Sequence, residues 1–354
     1  MSNILHIRTI EEFKDVAELW QAICDNMTEG RIFQTFEWCF NAWDCVLEPQ
    51  VVNELYILIW KQENVDDAVI FPFYLDAKQC LRFIMDEHSD FCDCIYVLGR
   101  NHHLAYKEAL AYILNDKMVK QISLHKMDGN SEVLNYFASL APQAVVAKEN
   151  TYSWIDVAPS NDFAASQKQL RSKDKANVRA IRRKADKRIL RILHTKHGDA
   201  FPETDFERLI ESMKSAKCRS ADFMPESLKS FCRRLYEEGF AEIVELIDVS
   251  NTAVALNFLL LMGTRRLSWI FLYSDTHAST ELYVKYFYDN QDQGDFVFDF
   301  GTGGYDYKLG TFRPCMRALW GMELPLAKRA RIAFAFNRLV NAAKTMVKVF
   351  LNRA

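Results

Sequence analysis

The chain has 354 residues and a formal net charge of −3, and 49% of its residues are hydrophobic and 26% charged. This composition is typical of a folded globular protein and excludes a disordered one. Its 12 glycines and 8 prolines fall well below the average usage of about 7% and 5%, which excludes collagen-like, linker-rich and low-complexity chains.

The net charge hides two strongly basic segments. Residues 168–191 carry eleven lysines and arginines against two aspartates, and residues 326–354 carry seven with no acid. The rest of the chain is therefore acidic, and both segments are candidates for contact with an anionic partner. Because no aromatic residues are interleaved with the cations of the first segment, nucleic acid is not favoured as the main partner.

The cysteine pattern and the hydropathy indicate the compartment. Nine cysteines are scattered without a Cys-x-x-Cys pair, which is typical of reduced cysteines in a cytoplasmic protein. The longest apolar run, 254–263, is interrupted by Asn257 and is far shorter than the roughly 20 residues of a spanning helix. We expect a cytoplasmic protein, with peripheral contact at the inner membrane as a further role for the tail.

The first half of the chain reads as a mixed α/β unit over residues 1–150. Strands are expected at 4–7, 54–60, 68–74, 81–84, 119–125 and 144–147. Helices are expected from the first strand to about residue 24, from Thr35 as the cap, and at 102–118 and 131–140.

The second half, 151–325, repeats this style and precedes a basic amphipathic tail helix at 326–354. Helices are expected at 162–187, 203–217, 225–238 and 278–291, and strands at 189–195, 241–247, 253–262, 267–273 and 296–300. A meander of strands mixed with helices predicts an α+β fold rather than a doubly wound parallel sheet. Neither a dinucleotide-binding nor a P-loop glycine motif is present.

Five of the twelve glycines lie between residues 294 and 310, after the apolar strand that ends near Asp299. Glycines in such number indicate a backbone that takes positive φ or closely approaches another group. Asp299 is our candidate for a general base or a substrate-orienting residue, and a turn-capping role is the alternative. Lys308 is a candidate for holding a phosphate or carboxylate.

Four stretches resemble a known family in order and spacing. They are Phe33-Gln-Thr-Phe-Glu-Trp38, Ala68-Val-Ile-Phe-Pro-Phe73, the basic helix around Lys175–Arg179 with Arg182-Arg183, and Asp299-Phe-Gly with Tyr307-Lys308. Together they resemble the CelD-type acyltransferase domain of the GNAT (N-acetyltransferase) superfamily, a relative of the FemAB peptidyltransferases. The resemblance extends from about residue 8 to 320.

The resemblance implies two tandem GNAT-like domains, an acyl-CoA donor with acetyl-CoA as the expected form, and a role in polysaccharide or cell-envelope synthesis. The acceptor is expected to be an amine or hydroxyl of a sugar or envelope precursor. The pyrophosphate-binding glycine loop of ordinary GNAT enzymes is missing, so aminoacyl-tRNA stays open as the donor. A non-catalytic scaffold of a membrane-associated polysaccharide synthesis complex is the remaining alternative.

Within these motifs we expect a site of few diagnostic residues. Asp299, Tyr307 and Tyr283 are the candidates for catalysis, the two tyrosines as donors to the leaving sulfur. The candidates for substrate binding are Lys308, Arg179, Gly301 and Trp38, with Arg179 placed where the basic helix most resembles the family.

Other chemistries have weaker support. Glu242 and Glu245, on the first strand of the meander, are alternative bases, and His277 is a minor candidate. No Ser-His-Asp arrangement or His-Glu-x-x-His motif is present, and His102-His103 has no carboxylate at metal-binding spacing. We therefore expect a metal-free site.

The tail carries one apolar stripe at helical spacing, from Ile332 to Phe350, with lysines and arginines elsewhere. Such a helix docks on its own protein or a partner, or lies on an anionic membrane surface.

Overall fold

The computed structural model describes residues 3–27, 32–48, 52–62, 67–97, 102–141, 143–158, 160–275, 277–289 and 294–327. The tail predicted at 326–354 therefore lies outside the described residues except for its first two. No helix among the described residues is long and apolar enough to cross a membrane.

The described residues form thirteen strands and eleven α-helices. The strands are β1 (Ile4–Ile7), β2 (Glu54–Trp60), β3 (Val69–Leu75), β4 (Cys80–Phe83), β5 (Ile95–Tyr96), β6 (Gln121–Asp128), β7 (Val145–Val157), β8 (Arg191–Thr195), β9 (Ala241–Ile247), β10 (Ala253–Met262), β11 (Arg265–Tyr273), β12 (Phe296–Thr302) and β13 (Cys315–Pro325). The helices are α1 (Ile10–Asp15), α2 (Ala17–Asp25), α3 (Phe36–Ala42), α4 (His103–Asn115), α5 (Glu132–Leu140), α6 (Phe163–Ser166), α7 (Ser172–Lys187), α8 (Glu203–Ser215), α9 (Glu226–Glu237), α10 (Ala278–Asp289) and α11 (Asp306–Phe312).

All thirteen strands belong to one mixed sheet with the order β1-β2-β3-β4-β6-β13-β7-β12-β11-β10-β9-β8, and β5 pairs with β3. Among the described residues, two pairs of neighbouring strands are parallel, β4 with β6 and β11 with β12. The other strand pairs are antiparallel. A largely antiparallel sheet mixed with helices confirms the predicted α+β class.

The two halves of the sheet repeat one order of elements. From β1 in the first half, and from β8 in the second half after α6 and α7, each continues through helices to three antiparallel strands (β2–β4 and β9–β11). Each then crosses by a helix (α4 and α10) to a parallel strand (β6 and β12), with the short β5 as an addition in the first half. A further helix and a last strand complete each half. The last strands are exchanged, since β13 lies between β6 and β7, and β7 lies beside β12.

Buried side chains form three apolar clusters around the sheet. Alternate residues of β2 point to opposite faces, so that Ile57 joins the cluster under α1–α3, α8 and α9, and Leu58 joins the cluster under α4 and α5. The third cluster lies under α7 and α10 in the second half. Because helices cover both faces, β2 and β3 are nearly continuous apolar runs.

Most predicted elements are present with shifted ends. Thr35 caps α3, as predicted, by accepting a hydrogen bond from the Trp38 amide at 3.2 Å. The helix predicted at 162–187 is two helices, α6 and α7, and the strand predicted at 296–300 continues through Gly301 to Thr302. The strand β13 and the helix α11 were not predicted. The domain boundary predicted at residue 150 falls within β7, and the division into two domains stays a prediction.

Candidate functional site

The parallel ladder between β11 and β12 opens partway along the two strands. The paired residues run from Arg265 with Val297 to Leu267 with Asp299, and in the described chain the ladder ends there. Beyond this point β11 carries an extra residue at Trp269 relative to β10, and β12 shifts its register with β7 after Asp299. We call the gap between β11 beyond Leu267 and β12 beyond Asp299 the wedge.

A chain of buried polar groups lines the wedge from the α10 side. The hydroxyl groups of Ser268 on β11 and Tyr283 on α10 lie 2.8 Å apart, and the Ser268 hydroxyl donates to the Asn257 side-chain oxygen at 2.9 Å. The Tyr283 and Tyr307 hydroxyls also interact, and their rings are nearly parallel with centroids 6.5 Å apart. Burial raises the pKa of Tyr307 to about 12. The phenol is therefore protonated at neutral pH and able to donate.

Lys308 on α11 lies at the β12 side of the wedge, where it is 4% exposed. Its ammonium donates to the carbonyls of Phe300 and Thr302 at 2.5 and 3.2 Å, just past the end of the β11 ladder. Burial lowers the pKa of Lys308 to about 8, and Asp90 opposes the fall. An ammonium has three N–H donors, and two of them are bound by these carbonyls. The ammonium also lies 5.0 Å from the centroid of the Tyr305 ring, as a cation–π contact.

Asp90, from the loop after β4 in the first half, reaches the same place. The Thr302 hydroxyl donates to the Asp90 carboxylate at 2.6 Å. Gly301 has a φ of +68°, and a β-carbon there would overlap this carboxylate. Burial raises the pKa of Asp90, and Thr302, Lys126 and Lys308 oppose the rise. Gly301 is thus required by the backbone angle and by the close approach of Asp90.

The Asp90 loop is held by one lysine on β6. The Lys126 ammonium donates to the carbonyls of Asp86, Glu87 and Ser89 at 2.8, 3.2 and 2.7 Å. The Trp269 indole donates to the His88 carbonyl at 2.7 Å and connects the same loop to β11. The loop therefore has a fixed position against both halves of the sheet.

Asp299 lies at the closed end of the wedge. Its carboxylate accepts two hydrogen bonds from the Arg265 guanidinium, at 2.7 and 2.9 Å. Burial raises the pKa of Asp299, whereas Arg265 and the nearby Tyr152 phenol oppose the rise. The arrangement holds the carboxylate in one orientation.

The wedge thus brings together five of the predicted site residues, namely Asp299, Gly301, Tyr283, Tyr307 and Lys308. Trp38 lies on the other face of the sheet at this point, since its ring packs against Trp269 with centroids 5.0 Å apart. Arg179 lies on α7 and pairs with Asp162 at 2.6 Å. No contact in the described part of the chain joins Arg179 to the residues of the wedge.

The alternative bases lie on β9, two strands from β11. The Glu242 carboxylate accepts a hydrogen bond from the His194 imidazole at 2.8 Å. Burial raises the pKa of Glu245 to about 7, with Asp205 adding to the rise. His277 is exposed at the start of α10. No group of three or more His, Cys, Asp or Glu side chains among the described residues is arranged to hold a metal ion.

The sequence of the second half is similar to a known domain. Residues 172–309 match the family model described as the acetyltransferase (GNAT) domain. The matched segment contains β11, α10, β12 and the first part of α11, which together form the wedge. No curated protein matches the chain.

Solved structures share the fold of nearly the whole chain. L-PGS from Bacillus licheniformis is 12% identical, with a TM-score of 0.55 over 86% of this chain and 90% of that one. A conserved protein of unknown function from Bacteroides thetaiotaomicron is 11% identical, with a TM-score of 0.57 over 92% and 100%. FemX is 10% identical, with a TM-score of 0.52 over 90% and 96%. The CelD-type resemblance stays a prediction.

Proposed function

We propose that the protein is a GNAT-type acyltransferase that transfers an acyl group from acyl-CoA to an amine or hydroxyl. The observation that carries this proposal is the open parallel ladder within the matched segment. Main-chain groups released from a ladder bind an extended ligand as an added strand would be bound. Backbone N–H groups of β11 are also suited to stabilise the oxyanion of a tetrahedral intermediate.

In this proposal Lys308 supplies positive charge to the developing oxyanion. Two of its N–H groups are bound by the Phe300 and Thr302 carbonyls, which fixes the direction of the third. A preorganised donor in a site shielded from water contributes more than the same donor in water.

The proton transfers are assigned to two residues at the open side of the wedge. A thiol has a pKa of about 8.5, so the leaving sulfur needs little help, and the Tyr307 phenol suffices as its donor. An alkyl amine, with a pKa of about 10, needs a base more strongly. We assign that role to Asp90, whose carboxylate is fixed by Thr302, in place of the clamped Asp299.

Asp299 then acts as a positioning residue through Arg265. Asp299→Asn keeps the shape of the side chain but removes the charge that holds the guanidinium. We expect about a tenfold lower turnover with the fold retained, measured as thiol release together with the melting temperature. A loss of stability without an effect on turnover per folded molecule would make Asp299 only a structural residue.

The donor has a second candidate, aminoacyl-tRNA, which the start of α10 favours. Asp275 accepts from the His277 amide at 3.0 Å and pairs with Arg188 at 3.0 Å, and Glu281 in the first turn pairs with Arg188 at 2.6 Å. Helix N-termini bind phosphates through free N–H groups and their positive end. Asp275 and Glu281 already occupy this helix end and engage Arg188 themselves, so fewer groups are available there for a diphosphate such as that of CoA.

The acceptor is proposed on the family resemblance alone. Members of the CelD-type family suggest a sugar or cell-envelope precursor in polysaccharide synthesis. An amino sugar offers the amine that the proposed base would deprotonate.

The deciding experiment compares the two donors on the full chain. If acyl-CoA is the donor, CoA raises the melting temperature, and acetyl-CoA with amino sugars releases free thiol. If neither occurs, the acyl-CoA proposal fails. RNA binding that weakens steeply with salt would then favour aminoacyl-tRNA. Absence of both activities, with vesicle binding that is abolished by deleting residues 326–354, would indicate the non-catalytic scaffold.

A further inference from the structure

We propose that the end of the sheet at β8 binds an anionic lipid bilayer. The contact surface, which we call the β8 patch, consists of the aliphatic side chains of Ile189, Leu193 and Val249 and the cations Lys187 and Arg191. It lies on the opposite side of β9 and β10 from the wedge, and its binding does not depend on the proposed activity.

The apolar part of the patch is exposed. Val249 and Ile189 are 72% and 67% exposed, the two largest values among the described aliphatic side chains, and Leu193 is 46% exposed. Arg191 pairs with Ile247 in the antiparallel β8–β9 ladder. Ile189 precedes β8 by two residues and Val249 follows β9 by two, so the two most exposed aliphatic residues flank the same end of this ladder.

The backbone of Ile189 has a conformation that usually belongs to another type of residue. The amides of Ile189 and Leu190 donate to the carbonyls of Asp186 and Ala185 at 3.0 and 3.1 Å, and Ile189 has a φ of +55°. This is the Schellman ending of a helix, where glycine or asparagine normally takes the left-handed residue. A β-branched side chain is strained there. Strain combined with exposure to water indicates a side chain selected for an external contact.

Cations surround the aliphatic groups. Lys187 and Arg183 are exposed on α7, and neither has an ion-pair partner among the described residues. Arg191 is held toward the β9–β10 turn by a 2.6 Å hydrogen bond from its guanidinium to the Asn251 side chain. The Asp248 carboxylate accepts hydrogen bonds from Ser250 and Thr252 within that turn. These neutral donors leave the Asp248 carboxylate charged, so the three cations Arg183, Lys187 and Arg191 stand against one carboxylate. The remaining excess of positive charge is complementary to an anionic surface.

The kind of side chain favours lipid over nucleic acid. Single-stranded nucleic acids are bound by aromatic side chains on which bases stack, and the patch contains only aliphatic ones. Aliphatic groups flanked by lysine and arginine are typical of surfaces that insert shallowly into a membrane interface.

The patch also lies at the end of the sheet toward which the wedge opens. Tyr273, the last residue of β11, pairs with Ala255 near the start of β10, and the Ser274 amide donates to the Val254 carbonyl at 3.0 Å. The β9–β10 turn and the beginning of β8 are at this same end. A bilayer bound to the patch would therefore lie near the same end of the sheet as the opening of the wedge.

The test is co-sedimentation of the full chain with vesicles. We expect binding to vesicles of equal parts phosphatidylcholine and phosphatidylglycerol and much weaker binding to phosphatidylcholine alone. Ile189→Asn combined with Val249→Ser should lower the partition coefficient at least about tenfold, because two aliphatic side chains no longer enter the interface. Ile189→Asn alone should keep or raise the melting temperature, since asparagine tolerates the left-handed conformation.

Matched variants separate the patch from the rest of the surface. Val52→Ser removes an aliphatic group that is 62% exposed in the first half and should leave binding unchanged. Lys187→Glu with Arg191→Glu should abolish the preference for anionic vesicles, whereas Lys78→Glu should retain it. Absence of vesicle binding by the natural chain would overturn the proposal. So would unchanged binding by the double aliphatic variant, or a change in self-association without a change in vesicle binding.

Discussion

The two parallel strand pairs of the sheet occupy equivalent places in the two halves but differ in what lies beside them. In the first half, β4 pairs with β6 only through Cys80 and Leu81. Residues 86–92 then cover the rest of β6. The Lys126 ammonium donates to three carbonyls of the 86–89 segment, and the Lys126 carbonyl accepts from the Cys92 amide at 3.0 Å. In the second half, the corresponding gap is lined by polar side chains.

This difference explains why one half is the candidate for chemistry. A gap bridged by the protein's own backbone has its hydrogen-bonding groups satisfied and has no room for a ligand. The wedge keeps a lysine, two tyrosines and an opened strand, and the first half contributes Asp90 to it. The duplicated architecture thus contains one candidate site, and a loop of the first half contributes Asp90 to it.

The largest effect should come from Lys308→Met, which removes the charge that distinguishes the wedge. Loss of one preorganised oxyanion donor typically lowers turnover about a hundredfold or more. In the natural protein, turnover should fall as pH rises through about 8, because Lys308 loses its proton there. Thiol release measured across pH tests both expectations.

Controls for this variant are Lys308→Arg and Lys285→Met. The first keeps the charge and should move the decline in turnover to higher pH. The second removes a similarly buried lysine on α10, outside the wedge, that pairs with Asp186 and Asp289. If Lys285→Met abolished the same decline, Lys308 would not be its source.

Gly301→Ala should disturb the contact between the two halves. Alanine at a φ of +68° costs about 1–2 kcal/mol, and its β-carbon would displace the Asp90 carboxylate. We expect both a lower free energy of unfolding, measured by urea titration, and reduced turnover. Gly310→Ala on α11, where nothing lies near the added carbon, should be neutral or stabilising. Equal behaviour of the two variants would contradict this account.

Tyr307→Phe should lower turnover about tenfold with little change in stability, because a thiolate leaves readily and needs only modest help from an acid. Steady-state kinetics with acetyl-CoA would measure the effect on kcat. Tyr106→Phe is the comparison in the first half, where the hydroxyl donates to Glu132 at 2.9 Å. A similar loss of turnover in Tyr106→Phe would mean that the site is not confined to the wedge.

The smallest effect concerns the centre of the sheet, where the exchanged strands meet. His125 on β6 lies between Glu149 on β7, at 2.5 Å, and Glu323 on β13, at 3.2 Å. These carboxylates raise its pKa from 6.5 to about 9 in the folded protein. The resulting stabilisation is therefore complete below about pH 6.5 and is lost as pH rises through about 9.

Urea titrations at several pH values should show a decrease of at least about 1 kcal/mol in the free energy of unfolding across this range. His125→Gln should remove most of the decrease, because glutamine does not titrate. A decrease of the same size in the variant would assign it to other groups.

Local patterns in the sequence were sufficient for most of the secondary structure. The apolar run of β2 and the meander of β9–β11 are predicted with nearly correct ends, since burial on both faces or alternation leaves a mark in consecutive residues. The concentration of glycine directed attention to Gly301 and Lys308, which the structure places in the wedge. The α+β class followed from the order of these elements.

The sequence missed the features that depend on distant contacts. Asp90 stands in a loop with no local motif, and only its contact with Thr302 reveals it. Arg265 directly follows a turn and has no pattern that would identify it as the partner of Asp299. The strand β13 lies between β6 and β7. Whether residues 315–325 form a strand therefore depends on the free edges of those two strands, which are distant in the sequence.

The sequence by itself determined most of the elements and the fold class, and it indicated the candidate site, because hydrophobic period and glycine content act over a few residues. The tertiary structure alone decided that the halves exchange their last strands, that one parallel pair is covered and the other open, and that Asp90 meets Gly301. These are outcomes of packing between segments far apart in the chain, and no local period of hydrophobicity records them.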